Sequence, residues 1–131
     1  MAKGGGMAVI MVVEDNLINM KLLKVLLVKH QYQVMTAFDA EEALLLLENQ
    51  LPDLILMDLQ LPGMDGLTLT RRLKEDPKTQ NIIILALTAY AMKGDEEKAF
   101  AAGCDGYITK PFDTRLLPKT IAEFLDKKSI V

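Results

Sequence analysis

The chain has 131 residues, half of them hydrophobic, with a formal charge of -3 at pH 7; it is long enough for one domain with a sizeable core and too short for two ordinary ones. No apolar run approaches the roughly 18 residues needed to span a bilayer, and the lysines and arginines are scattered, not gathered in a stripe, so neither membrane insertion nor direct nucleic-acid binding is expected. One cysteine, Cys104, has no internal disulfide partner and the start carries no secretory signal, so a reducing, cytoplasmic setting is expected.

Residues 1–6, Met-Ala-Lys-Gly-Gly-Gly, have no strand before the glycines and no Gly-Lys-Ser/Thr after them, and read as a flexible tail or cloning remnant rather than a phosphate cradle. From residue 7 to 127 one domain is expected, followed by a short tail over 128–131. A partly β-branched run at 8–13 (AVIMVV) predicts the first strand, and Ile18, Leu22, Val25 and Leu26 then fall at helical spacing. A second run at 33–37 (QVMTA) leads to Ala40, Ala43, Leu44 and Leu47, a helical stripe behind the capping pair Asp39 and Glu42. The run at 53–57 (DLILM) precedes turn residues Pro62, Gly63 and Gly66 and a helix marked by Leu69 and Leu73 and closed by Pro77. After 82–87 (IIILAL), a polar helix over about 92–102 has few apolar anchors beyond Ala99 and Phe100, with Gly103 as its stop; it is expected to be the loosest. A last short run at 107–109 (YIT) leads to a helix with Leu117, Ile121, Phe124 and Leu125 on one face, Pro118 being tolerable only near its first turn.

Five strands alternating with five helices predict an α/β domain, a doubly wound parallel sheet covered on both faces, because parallel neighbours need crossover connections. The continuous runs at 8, 53 and 82 suit central strands, and the runs at 33 and 107 suit edges. In such a sheet all strands end at one rim, where ligands bind. Strand one ends at Glu14 and Asp15, strand three at Asp58, strand four at Thr88 and strand five at Lys110-Pro111. Singly, each has an ordinary explanation as a helix cap, turn residue or solvated charge. Jointly, three carboxylates on one rim repel by about 4 kcal/mol per pair at 4 Å and an effective dielectric near 20, so they call for a counter-ion beyond Lys110. Oxygen ligands without a supporting histidine favour Mg²⁺, with Mn²⁺ the alternative, over zinc. Mg²⁺ with few protein ligands suits a phosphoryl guest, and Asp58 is the best placed nucleophile to receive it as an acyl phosphate.

At these residues the sequence resembles the CheY-like receiver domains of two-component response regulators. The match rests on Val13-Glu14-Asp15-Asn16, Asp53 through Asp58, Leu61-Pro62-Gly63-Met64-Asp65-Gly66, Leu87-Thr88-Ala89, and Gly103 followed by Tyr107-Ile108-Thr109-Lys110-Pro111-Phe112. The resemblance implies a flavodoxin-like sheet in the order 2-1-3-4-5. It implies Asp58 as phosphoacceptor, with Asp15, Asp58 and the Gln60 backbone carbonyl on Mg²⁺, and Glu14 acting through water. Lys110 would neutralise the phosphoryl oxygens, Thr88 and the Ala89 amide would bind them, and Lys110-Pro111 would be a cis peptide. Thr88 and Tyr107 would form a switch acting on the face of helix four, strand five and helix five, and Gln60 and Tyr90 would flank the route of hydrolytic water. A stoichiometric phosphoacceptor, not an enzyme, is thus implied. The implied partners are a sensor histidine kinase or histidine phosphotransfer protein and a downstream protein target, with the chain a monomer or weak dimer. Within the family, Asn19-Met20-Lys21-Leu22 and Ala91 through Glu97 resemble single-domain cell-division regulators.

Other readings stay open beside this one. The chain is a phosphorelay shuttle if it carries phosphate without switching, and with no output domain in the sequence it is alternatively a piece of a larger regulator or hybrid histidine kinase. A phosphatase of the haloacid dehalogenase type needs a second aspartate two residues after the nucleophile, where Gln60 stands. A receiver-like module that is never phosphorylated tends to lose such site residues. His30 reads as a solvated or capping residue, and Cys104 as a small buried filler.

Overall fold

The computed structural model describes residues 8–89 and 93–130, residues 93 and 128–130 by their backbone alone. The expected tail over residues 1–6 and Tyr90 lie outside the described residues. The order is β1 (Val9–Val13), α1 (Leu17–Lys29), β2 (Gln33–Ala37), α2 (Ala40–Leu47), β3 (Leu54–Asp58), α3 (Gly66–Glu75), β4 (Ile83–Thr88), α4 (Lys93–Ala102), β5 (Gly106–Thr109) and α5 (Leu116–Ile130). All strand pairs are parallel, and the sheet order is β2-β1-β3-β4-β5.

Period-two alternation divides the apolar residues between two layers. Met11, Val13, Ile55, Met57, Ile84 and Ala86 meet α2, α3 and Ala99 of α4 on one face. Ile10, Val12, Leu54, Leu56, Leu85 and Leu87 meet α1 and α5 on the other. Both faces of β1, β3 and β4 are buried along their whole length, whereas β2 and β5 are only partly covered. The long apolar runs therefore occupy the centre and the short ones the edges, as strands buried on two faces require.

Local signals fix the helix ends. Asp39 accepts the Glu42 N–H at 2.8 Å while Glu42 reaches back to the Phe38 N–H at 2.6 Å, satisfying donors that the helix itself cannot. Asn16, not Glu14 or Asp15, caps α1, its side chain accepting the Asn19 N–H at 2.9 Å. His30 ends α1 as its C-cap, and Gln31 follows in the left-handed region at φ 68°, a conformation that glycine or asparagine usually signals. At the amino edge of the sheet Asp53 accepts the Val9 N–H at 2.8 Å, and Asp105 accepts both the Ile84 N–H at 2.8 Å and the Lys74 ammonium at 3.1 Å.

Two apolar assignments differ from the helical pattern. In α1 only Leu26 of the four spaced residues is buried; Ile18, Leu22 and Val25 are exposed, and Met20, Leu23 and Leu27 join Leu26 in the core. The helix is apolar nearly all round, so spacing alone selected an equally periodic but outward arc. In α4, Ala99 and Ala102 are buried, whereas Phe100 lies 46% exposed and turns its ring to Tyr107.

Candidate functional site

The carboxyl ends of β1, β3 and β5 bring Glu14, Asp58 and Lys110 together, although 96 positions separate the first from the last. Glu14 and Asp58 are buried, at 0% and 2% exposure, and Asp15 beside them is exposed. One carboxylate oxygen from each of Glu14, Asp15 and Asp58 lies within 4.8 Å of the others. Lys110 Nζ stands 2.9 Å from Glu14 Oε1 and 3.4 Å from Asp58 Oδ2. The other oxygens accept backbone donors: Glu14 Oε2 takes the Asn16 N–H at 3.0 Å and Asp58 Oδ1 the Gln60 N–H at 2.9 Å.

The charges are unequal to one another. Three carboxylates against one ammonium leave an excess of two negative charges, and a pair at 4.8 Å repels by roughly 3 kcal/mol at an effective dielectric near 20. Asp58 absorbs this strain: burial first, then the Glu14 carboxylate, pushes its pKa from 3.8 to about 7, against the Gln60 N–H and Lys110, which favour the charged form. Burial also pushes Glu14 upward, but the Asn16 N–H, Lys110 and Asp58 outweigh it and hold Glu14 below its usual range. Burial opposes the charge of Lys110, yet Glu14 and Asp58 raise its pKa. One carboxyl of a like-charged pair thus retains a proton near neutrality while its neighbour is ionised.

The donor set fits a hard divalent cation. Glu14 Oε1 is buried and accepts no hydrogen bond, its short contact to Lys110 being an ion pair without hydrogen-bond geometry. With Asp15 open to solvent and one oxygen of each carboxylate within 4.8 Å of the others, the set is of the oxygen-only kind that suits a partly hydrated Mg²⁺.

Glycine shapes this rim twice, for different reasons. Gly63 adopts φ 71° with open space around it, so it serves the turn. A Cβ on Gly66 would come within 2.2 Å of the Asp58 carbonyl oxygen and 2.9 Å of Leu59 Cα; here the missing side chain lets the start of α3 pack against the end of β3. The sequence marks both as turn residues and does not distinguish the two needs. Thr88 ends β4 and is buried, Ala89 beside it is exposed, and Lys110-Pro111 is cis. Tyr107 stands on β5 with its hydroxyl donating to Glu96 of α4 at 3.0 Å, a pairing without any sequence signal. His30 and Cys104 lie away from the rim, the former a helix cap and the latter buried at 5% exposure.

Comparison with known proteins agrees with this geometry. The sequence profile of the response regulator receiver domain matches residues 10–122. The polar-differentiation response regulator DivK of Brucella anthropi is 44% identical over 116 residues, which cover 88% of this chain and 94% of DivK. The receiver domain of a sensor histidine kinase from Pseudomonas aeruginosa, solved with a magnesium ion coordinated in its active-site cleft, superposes with a TM-score of 0.85 at 33% identity, covering 92% of this chain and 98% of that one. A co-crystal structure from Saccharomyces cerevisiae, of a histidine phosphotransfer protein with the receiver domain of its downstream response regulator, gives a TM-score of 0.83 at 33% identity, with 89% of this chain and 88% of that one covered. With the strand order, the acidic rim and these matches agreeing, the chain belongs to the receiver-domain family of two-component response regulators and resembles DivK within it.

Proposed function

We propose that the chain accepts a phosphoryl group on Asp58 from a phosphohistidine of a sensor histidine kinase or phosphotransfer protein, and signals by protein contact. The observation that carries this reading is Lys110 lying between the buried carboxylates of Glu14 and Asp58 with Asp15 alongside, a preorganised setting for an oxyanion-rich group. A carboxylate oxygen of Asp58 forms the bond to phosphorus as the phosphorus–imidazole bond breaks, its electron pair returning to the imidazole nitrogen. Asp15, Asp58 and the Gln60 carbonyl would hold Mg²⁺, or Mn²⁺ in its place, with Glu14 reaching it through water. The ion would supply the positive charge that two excess carboxylates and the incoming phosphoryl oxygens need. Lys110 orients one phosphoryl oxygen, and Thr88 with the Ala89 amide binds another. The chain does not turn over; it carries one phosphoryl group per molecule in the cytoplasm.

The exposed arc of α1 supports a macromolecular donor. Leu17, Ile18, Leu22, Val25 and Val28 are 39–77% exposed on adjoining positions of a helix that starts three residues beyond Glu14, and an apolar stripe at this spacing is what a partner helix packs on. Output follows from Thr88 drawing toward the phosphoryl group and Tyr107 turning inward, which changes the face of α4, β5 and α5. Incubation with acetyl phosphate and Mg²⁺ should add one phosphoryl mass per chain, removable by hydroxylamine and absent in Asp58→Asn. Uptake by that variant equal to wild type excludes Asp58 as acceptor, and continuous release of inorganic phosphate at many turnovers makes the chain a phosphatase instead.

A further inference from the structure

Tyr107 is tied to α4 at both ends of its ring. Its hydroxyl donates to Glu96 Oε2 at 3.0 Å, and the Phe100 ring meets it edge-on, with centroids 6.4 Å apart and planes at 85°. Glu96 and Phe100 are one helical turn apart, so one face of α4 supplies both contacts. The body of the Tyr107 ring packs on the core cluster that holds Ala99 and Cys104. In the sheet Tyr107 is paired with Ala86, two residues before Thr88 and on the same face, and alanine is small enough to leave the way between them unobstructed by a long side chain. The rest of α4 is held by little: Ala99 and Ala102 are its buried apolar side chains.

We propose that Glu96 is a positioning residue of the Tyr107 switch: a latch on α4 that holds the ring outward in the unphosphorylated chain and sets how much phosphoryl signal releases it. The inference rests on the reading of Tyr107 as a switch and adds the group that opposes it. A hydrogen bond to a carboxylate is stronger than one between neutral groups, and the Glu96 carboxylate raises the pKa of the phenol, so the hydroxyl remains a donor throughout the neutral range. Ring and hydroxyl cannot move inward without giving up this bond and the Phe100 contact. The outward state is thereby favoured, and the same bond ties any movement of the ring to α4. Glu96 lies outside the phosphoryl site, so it tunes the switch without touching the chemistry.

The test uses the full chain with Mg²⁺ and beryllium fluoride as phosphoryl mimic, read by NMR of the Tyr107 ring. Removing an exposed, charge-assisted bond should raise the inward-to-outward ratio about three- to tenfold. Without mimic, Glu96→Ala should therefore shift the Tyr107 signals along the line that joins free and mimic-saturated wild type. Its apparent affinity for the mimic should rise by the same kind of factor, because a ligand that selects the inward state gains when that state is more populated. Glu96→Gln should fall between. Tyr107→Phe, which keeps the ring but lacks the donor, should raise mimic affinity similarly, and adding Glu96→Ala to it should change nothing more. If wild-type Tyr107 responds to the mimic and Glu96→Ala leaves free spectrum and affinity unchanged, the latch is wrong while the switch stands. If the mimic binds and wild-type Tyr107 stays silent, the switch reading fails and the latch with it.

Discussion

Asp58→Asn should stabilise the Mg²⁺-free chain, and by an amount that depends on pH. Asp58 is 2% exposed and its pKa rises from 3.8 to about 7 through burial and the neighbouring Glu14. A folded-state pKa above the unfolded value means that between about pH 4 and 7 the native chain holds a proton the unfolded chain has released. Stability therefore falls as pH rises through that window and is level above it. Three pKa units at about 1.4 kcal/mol each set a ceiling near 4 kcal/mol. That ceiling already contains the help of Lys110; the opposite shift of the neighbouring Glu14 returns part of it, so we expect about 2 to 3 kcal/mol above pH 7.5. Asparagine bears no charge at any of these pH values and keeps an oxygen for the Gln60 N–H. The difference between variant and wild type should be near zero at pH 4 and complete by pH 8. In urea unfolding at pH 8, that gain is a midpoint roughly 1 to 2 M higher for the variant. Millimolar Mg²⁺ should narrow or invert the gap, because the ion stabilises the native state in proportion to its binding and the variant has lost one carboxylate. A gap that is the same at pH 4 and pH 8, or a wild type more stable than the variant at pH 8 without metal, refutes the charge argument.

Mg²⁺ affinity, measured by calorimetry, should fall on the order of tenfold or more in Asp15→Ala and less in Glu14→Gln, since Asp15 is expected on the ion directly; an unchanged affinity in Asp15→Ala reverses those roles. It should also drop about tenfold per pH unit below the Asp58 pKa of about 7, where a proton must leave for the ion to bind, and a flat profile from pH 5 to 8 counts against the raised pKa. Gly66→Ala, whose Cβ has the Asp58 carbonyl at 2.2 Å, should lose about 1 to 3 kcal/mol in urea melts, whereas Gly94→Ala, with nothing within 4 Å, should be neutral or gain a few tenths; similar costs for both would show that close approach at β3 is unimportant. Val25→Asp on the exposed α1 arc should slow phosphoryl transfer from a phosphohistidine protein at least tenfold, about the effect of losing 1.4 kcal/mol of contact, and leave uptake from acetyl phosphate unchanged; equal effects on both donors would exclude α1 as the docking face.

Strand and helix order is legible along the chain, because burial on two faces, one face or none leaves a different periodic trace. β2 begins and ends where its apolar run does, β1 and β5 differ by one residue at the start, and β3 and β4 are shifted one residue along the chain at both ends. The sequence also shows which residues share the rim: once the sheet is parallel, Glu14, Asp58 and Thr88 must end at one edge, and Asp39 with Glu42 must cap α2. What it left open are matters of direction and distance. With apolar residues on nearly every side, α1 has no unique inward arc, so only packing against β1 and α5 decides that Leu23 is buried and Ile18 exposed. Adjacent Glu14 and Asp15 look alike on paper, yet where the chain leaves β1 one is turned into the interior beside Lys110 and the other stays in solvent. Gly66 reads as a turn because a missing side chain has no local signature when its reason is the Asp58 carbonyl, part of another element. The Glu96 contact to Tyr107 and the Lys74 contact to Asp105 join elements whose approach is set by how helices settle on the sheet. Periodicity is a property of one segment and survives in its sequence; a contact between two segments exists only after the core has fixed their separation.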